Sequence, residues 1–264
     1  MQTVETAYDN YEFYTANQAL VAFATIDLSA FYLDIAKDRL YISAAAEARR
    51  RSCQTVLYHT LMQMTKMMAP IVPHMAEDVW LNLPFPRATD SVFESGWVKA
   101  SDRFPAHEQA LWGQLRALRD DVNKCIEAGR QAKEFGSSAE AGVFIHSSNP
   151  ELTAALQRLK GDAAFLAQAQ ATNGIDDLRF VLMTSQVDLC ASSEEVLGKC
   201  KYTIAGQNGL TIGVSKASGK KCDRCWYYSD NVGHDHDHND ICLRCAAVVK
   251  AEGYTFEDSA AAAV

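Results

Sequence analysis

The sequence predicts a mainly α-helical bundle, then a small α+β domain and a four-cysteine zinc knuckle, within 264 residues. Three observations predict it. Apolar residues repeat at helical spacing over the first hundred positions, short apolar or alternating runs replace them after about residue 140, and two Cys-x2-Cys pairs lie near the end. From Tyr8 to about Phe23, the apolar residues Tyr11, Tyr14, Ala19, Ala22 and Phe23 suit one amphipathic helix, and Asp27 and Ser29 suit the cap of the next. That second helix, Ser29 to Tyr41, sets Phe31, Tyr32, Ile35 and Leu40 against Asp34, Lys37, Asp38 and Arg39. Residues 44 to 51 are expected to connect, ending in the basic cluster Arg49, Arg50 and Arg51. A third helix carries Val56, Leu57, Thr60, Leu61, Met64, Met67 and Met68 at spacings of three and four until Pro70 stops it. A fourth runs from His74 to about Leu81, with Trp80 in the core.

Three prolines between Pro84 and Pro105 mark a domain junction. A long helix follows from Glu108 to about Lys133, on Leu111, Leu115, Leu118, Val122 and Ile126. Val143 to His146 then suits a strand, and Asn149-Pro150 starts a helix filled by Leu152 to Leu159. The runs Leu178 to Met183, Gln186 to Cys190, Lys201 to Ile204 and Leu210 to Val214 suit short strands. The expected domains are 1–105, helical; 106–215, α+β; 216–256, the four-cysteine module; and 257–264, a disordered tail.

The composition narrows the function classes. With 48% hydrophobic residues the chain can bury one large core or two ordinary ones. No charged-then-apolar leader opens it, and no apolar run nears the roughly 20 residues that cross a bilayer, so a cytoplasmic protein without a membrane partner is expected. A net charge of -8 argues against indiscriminate coating of nucleic acid but leaves room for a local basic face.

Cys222, Cys225, Cys242 and Cys245 carry the strongest signal. Chance at this cysteine content gives about a quarter of one Cys-x2-Cys pair per chain, and here two pairs stand at metal-site spacing. Four thiolates on two tight turns suit one tetrahedral Zn²⁺ with no open position, hence a structural ion. A redox reading needs such a pair at a helix start after a strand, a setting neither pair shows in the sequence. Few apolar residues flank the knuckles, so metal is expected to supply most of the local folding energy, on the order of 10 kcal/mol. Loss of one thiolate is then expected to unfold the tail and little else. His234, His236 and His238 alternate with Asp235 and Asp237, which in an extended chain puts the three imidazoles on one side and would suit weak transition-metal binding; a solvated loop is the expected reading. Beside the cysteines stand Lys216, Lys220, Lys221, Arg224 and Arg244 with Trp226, Tyr227 and Tyr228, the cations and ring faces that a single-stranded RNA loop requires. The bland alternative has Trp226 covering the metal. Cys53, Cys125, Cys190 and Cys200 remain as free thiols.

No phosphate-cradling glycine loop and no nucleophile elbow occurs. His59, His74, His107 and His146 lack the neighbours of a general base, so the chain on its own is expected to be non-catalytic.

Several segments resemble the anticodon-binding domain of bacterial-type isoleucyl-tRNA synthetases, a class I family. They are Asn10-Tyr11-Glu12-Phe13, the run from Asp27 to Tyr41, the run from Arg49 to Tyr58, Ala69-Pro70-Ile71-Val72-Pro73-His74 and Ala76-Glu77-Asp78-Val79-Trp80. Lys221-Cys222-Asp223-Arg224-Cys225-Trp226 and Ile241-Cys242-Leu243-Arg244-Cys245 resemble that family's terminal zinc motif, so nearly the whole chain is covered. The resemblance implies ATP- and Mg²⁺-dependent joining of isoleucine to tRNA-Ile in a full enzyme whose catalytic and editing domains are not in this sequence. It implies a C-terminal fragment, a split subunit or a truncated reading frame, in the cytoplasm or in a plastid or mitochondrial matrix. By the same analogy the helices grip the anticodon arm and the zinc module contacts the anticodon loop; from their charge and ring faces, Lys37, Arg39, Arg49, Arg50 and Arg51 are expected to meet stem phosphates, and Lys220, Lys221, Arg224, Trp226 and Arg244 to engage the loop. Two rivals stand beside this reading: a zinc-stapled module that docks a separate catalytic chain, and a thiolate redox sensor.

Overall fold

The computed structural model describes residues 1–98, 106–160, 177–206 and 209–253. They fall into two compact units, Met1–Arg103 and Phe104–Val264. The expected tail lies outside the described residues.

Among its described residues, the first unit has helices and no strand. Helix α1, Gln2–Asp9, ends where Tyr11 takes a left-handed φ of 59°, and the Glu12 N–H returns 2.7 Å to the Ala7 carbonyl, closing the end as a Schellman turn. The single helix predicted across residues 8 to 23 is therefore two. The next, α2, runs unbroken over Phe13–Ile42. Asp27 and Ser29 lie inside this helix rather than at a boundary, because the ladder widens to i→i+5 bonding over Phe23–Leu33 and Asp38–Ile42 instead of stopping. By length and composition α2 could cross a bilayer, whereas the broken sequence pattern predicts no such run. In this fold one face of α2 packs on its neighbours and most of its apolar stretch stays unburied. Ala16 and Leu20 pack with Val4, Ala7, Met67 and Val98, and the Tyr32 hydroxyl reaches Cys53 Sγ at 3.5 Å. Helix α3, Ala48–Met68, starts earlier than expected, so Arg49, Arg50 and Arg51 form its first turn rather than a connector. Helix α4, Pro73–Leu81, buries Trp80 against Ala69, Ala76 and Val92, with the indole N–H donated to the Thr89 carbonyl at 3.1 Å.

In the second unit a four-stranded sheet has the order β2-β1-β4-β3. Its strands are β1, Ala141–Ser147; β2, Gln186–Leu189; β3, Tyr202–Ala205; and β4, Leu210–Lys216. The β1–β2 pair is parallel and the β1–β4 and β3–β4 pairs are antiparallel, with Val143 opposite Val214 and Ile145 opposite Ile212. The long helix α5, Ala106–Gln131, lays Leu115, Leu118, Val122 and Ile126 on those residues. Helix α6, Pro150–Lys160, is capped by Asn149, whose Oδ1 accepts from the Glu151 N–H at 2.9 Å. The stretch expected as a strand at Leu178 to Met183 is a short helix, α7, Asp177–Leu182, whose Leu178, Phe180, Val181 and Leu182 are all buried. A further short helix, α8, Ser193–Lys199, packs against β4 over Gly213, where an added Cβ would come within 2.6 Å of Cys200. The chain then passes to the cysteine module.

Candidate metal centre and nucleic-acid interface

A two-stranded ribbon opens the module, β5, Lys220–Lys221, against β6, Tyr228–Ser229. Gly219 permits this approach. Its φ is +81°, and a Cβ there would lie 2.3 Å from the Ser229 carbonyl carbon. Between the strands, Cys222 to Tyr227 forms a tight turn: the Trp226 N–H donates to the Cys222 carbonyl at 2.8 Å, and the Cys222 N–H to the Tyr227 carbonyl at 2.9 Å. The second pair sits at the start of helix α9, Leu243–Ala251, with Cys242 as its N-cap residue. That pair opens a helix but follows a loop rather than a strand, so it lacks the strand-then-helix setting that the redox reading needs.

The four Sγ atoms all lie within 4.8 Å of one another, and Cys225 and Cys242 are 3.9 Å apart. Thiolates 2.3 Å from one zinc ion stand about 3.8 Å apart at the corners of a tetrahedron, so the donor set and its spacing fit Zn²⁺. The Cys242 N–H points at Cys222 Sγ, 3.2 Å away. Hydrogen bonds from Cys225, Cys242 and Cys245 hold the Cys222 thiol far below its ordinary value, while the same crowding, led by Cys222, pushes Cys245 up. A divalent cation removes that conflict by taking all four as thiolates.

The module is not the loosely attached tail that the sequence suggests. Val232, Ala246 and Val248 are buried in it, and its Tyr227 ring meets Phe180 of α7 edge-on at 5.4 Å. The three histidines do not share one solvated side either: His238 is buried and His234 and His236 are exposed. Lys250 of α9 ties the loop down through Asp235 at 2.7 Å and Asp237 at 2.9 Å, and its hydrogen bond keeps the Asp235 carboxyl below the ordinary carboxylate range.

Trp226 stands in solvent rather than closed over the cysteines. It is 67% exposed, on a left-handed φ of 67°, with Lys221 Nζ 5.3 Å from its ring centroid. Lys220 and Lys221 are exposed on β5, whereas Arg224 is half-buried and Arg244 lies 5.2 Å from the Phe180 ring of α7. In the first unit Arg49 and Arg50 are half-buried and Arg51 is exposed. The Asp38–Ile42 turn, which carries the half-buried Arg39, packs against α3. Lys37 is paired with Asp34 at 2.7 Å. Arg179, Phe180 and Ser185, which bind the module to the sheet, carry no sequence pattern that marks them.

Residues 1–145 match the family model described as the anticodon-binding domain of tRNA ligase. The chain belongs to that family. Residues 219–248 match a second model, the zinc finger found in FPG and IleRS, which embraces all four cysteines. Curated relatives are isoleucine–tRNA ligases. The chloroplastic/mitochondrial ligase of Arabidopsis thaliana is 40% identical over 95% of this chain and 23% of its own length. The ligase of Thermosynechococcus vestitus is 43% identical over 94% and 25%, and that of Gloeobacter violaceus 42% identical over 93% and 23%. The chain thus spans about a quarter of the length of these relatives.

Proposed function

We propose that this chain is the tRNA-reading part of an isoleucine–tRNA ligase, that it grips the anticodon arm of tRNA-Ile, and that Cys222, Cys225, Cys242 and Cys245 hold one structural Zn²⁺. The observation that carries the reading is Trp226, a large ring left exposed beside Lys221 on the cysteine-built turn. A soluble surface gains nothing from such a ring, but an unpaired base stacks on it and a lysine beside it neutralises the adjoining phosphate. In the first unit, Arg49, Arg50 and Arg51 crowd the positive end of α3, where cations oppose the helix dipole. Stem phosphates offset that repulsion, with Arg39 close by and Lys37 released from Asp34 as the fifth cation.

In this reading the ATP- and Mg²⁺-dependent chemistry belongs to catalytic and editing domains held in cis or in trans. They cover the apolar residues Val21, Phe23 and Ile26 that α2 leaves exposed, so the docking alternative becomes a second duty of the same chain. The compartment is one with its own translation: the cytoplasm, or a plastid or mitochondrial matrix, as the name of the plant relative says of that protein.

Titration with a tRNA-Ile anticodon stem-loop at several salt concentrations, with and without chelator, tests the proposal. Expected are a negative salt slope, weaker binding on anticodon changes and loss of anticodon discrimination with chelator. Binding that ignores both salt and anticodon sinks it. The chain alone is expected to give no isoleucine-dependent pyrophosphate exchange.

A further inference from the structure

A zinc knuckle folds on its metal and needs no support to do so, yet this one is fastened to the sheet at three places. The first is Ser185, 2% exposed in the turn between α7 and β2. Its hydroxyl donates to the Ala139 carbonyl and accepts the Tyr228 N–H at 2.6 Å, two residues beyond Trp226. The second is Phe180, 3% exposed, which meets Tyr227 of the first knuckle and Arg244 of the second. Arg179 lies 4.6 Å from the Phe180 ring and 5.5 Å from that of Tyr227, and donates to the Ser185 carbonyl at 3.3 Å. The third is at the entrance, where Gln186 donates to Ser218 Oγ at 2.7 Å and accepts the Ser218 N–H at 3.0 Å.

We infer that Ser185, Phe180 and Arg179 are positioning residues for the anticodon-loop contact: they hold the Cys222–Tyr227 turn at one orientation to the sheet, so that Trp226 and Lys221 are presented preorganised. This rests on the RNA-binding reading above. The physical reason is the geometry of Trp226 itself. It has Lys221 beside it, and its direction is set by the left-handed turn that carries it. Whatever fixes the turn fixes the ring. A knuckle on a free linker would sweep the ring through many orientations, and ordering it on each binding event would cost affinity. Fastening the backbone one peptide beyond Tyr227 removes that cost before RNA arrives.

The test uses the 264-residue chain loaded with zinc. Ser185→Ala removes the acceptor of the Tyr228 N–H, and Phe180→Leu removes the ring while keeping an apolar side chain. Each is measured for zinc content, for amide exchange over residues 226–229, and for binding to cognate and anticodon-changed stem-loops across a salt series. Both variants should keep one zinc per chain and the wild-type salt slope, exchange the Tyr228 amide faster, and lose roughly tenfold in cognate affinity with discrimination reduced. Loss of zinc or of the sheet in both variants would make these residues merely structural and overturn the inference. If both bind as wild type while Trp226→Ala loses binding, the clasp is refuted and the RNA reading stands. If the wild-type chain itself shows no anticodon dependence, the reading falls and the inference with it.

Discussion

Trp226 sits at a φ of 67°, a conformation that costs a residue with a Cβ about 1–2 kcal/mol and that glycine would occupy freely. The cost is consistent with a ring selected for what it meets rather than for the turn it makes. Trp226→Ala should therefore leave zinc content unchanged and weaken stem-loop binding by about 1–3 kcal/mol, the usual loss when one base–ring stack is removed. Zinc analysis and the same titration check this, and an unchanged affinity would return Trp226 to the role of a surface ring. Other cysteines behave differently from the four in the module. Burial pushes the Cys125 and Cys200 thiols up to about 11. Thiolate is the reactive species, so at pH 8 both should resist iodoacetamide in the folded chain and react fully in denaturant, as peptide mass mapping would show. The sign for stability follows. A raised thiol pKa means that the folded state keeps protons the unfolded state has lost, so stability is complete below about pH 8.5 and falls as pH rises toward 11.

Among elements, the β5–β6 ribbon depends on Gly219 more than on any side chain, since both the positive φ and the Ser229 carbonyl beside it exclude a Cβ. Gly219→Ala should part the ribbon and lower zinc affinity in competition with a chelating dye, with the sheet still formed; unchanged affinity would show that the cysteine turns form without the ribbon. Such dependence is partly legible in sequence. The helices α3 and α5 hold one period long enough to be read, and the cysteine pairs announce themselves by spacing alone. Helix α2 misleads because widening of its ladder shifts the period midway, so that Asp27 and Ser29 look like a boundary. Helix α7 misleads for another reason. Six residues with four buried apolar side chains leave no polar face, and a run that short reads equally well as a strand. Ser185 is legible from nothing: one serine acquires its role only when folding brings Ala139 and Tyr228 to it.

At the scale of the whole chain, zinc should matter to one unit and not to the other. The cores of the first unit are built from its own residues, Val4, Leu20 and Met67 in one cluster and Ala76, Trp80 and Val92 in another, and contain none of the four cysteines. In the second unit the module shares Phe180 and Ser185 with the sheet, and the Ala217 N–H donates to the Glu140 carbonyl ahead of β1 at 2.8 Å. A structural zinc contributes on the order of 10 kcal/mol to folding of its own peptide, so a chelator should abolish the module's fold outright. The damage should not stop there. With the module gone, the hydroxyl of Ser185 loses the N–H it accepts and Phe180 loses Tyr227 and Arg244, leaving a buried ring exposed along one edge. Amide exchange after chelation should therefore quicken across 219–251 and, to a smaller degree, across 178–187, while peptides from Gln2 to Leu81 keep their protection. Exchange confined to 219–251 would mean that the module hangs on the sheet without supporting it, and faster exchange across the first unit would mean that the two units do not fold independently of each other.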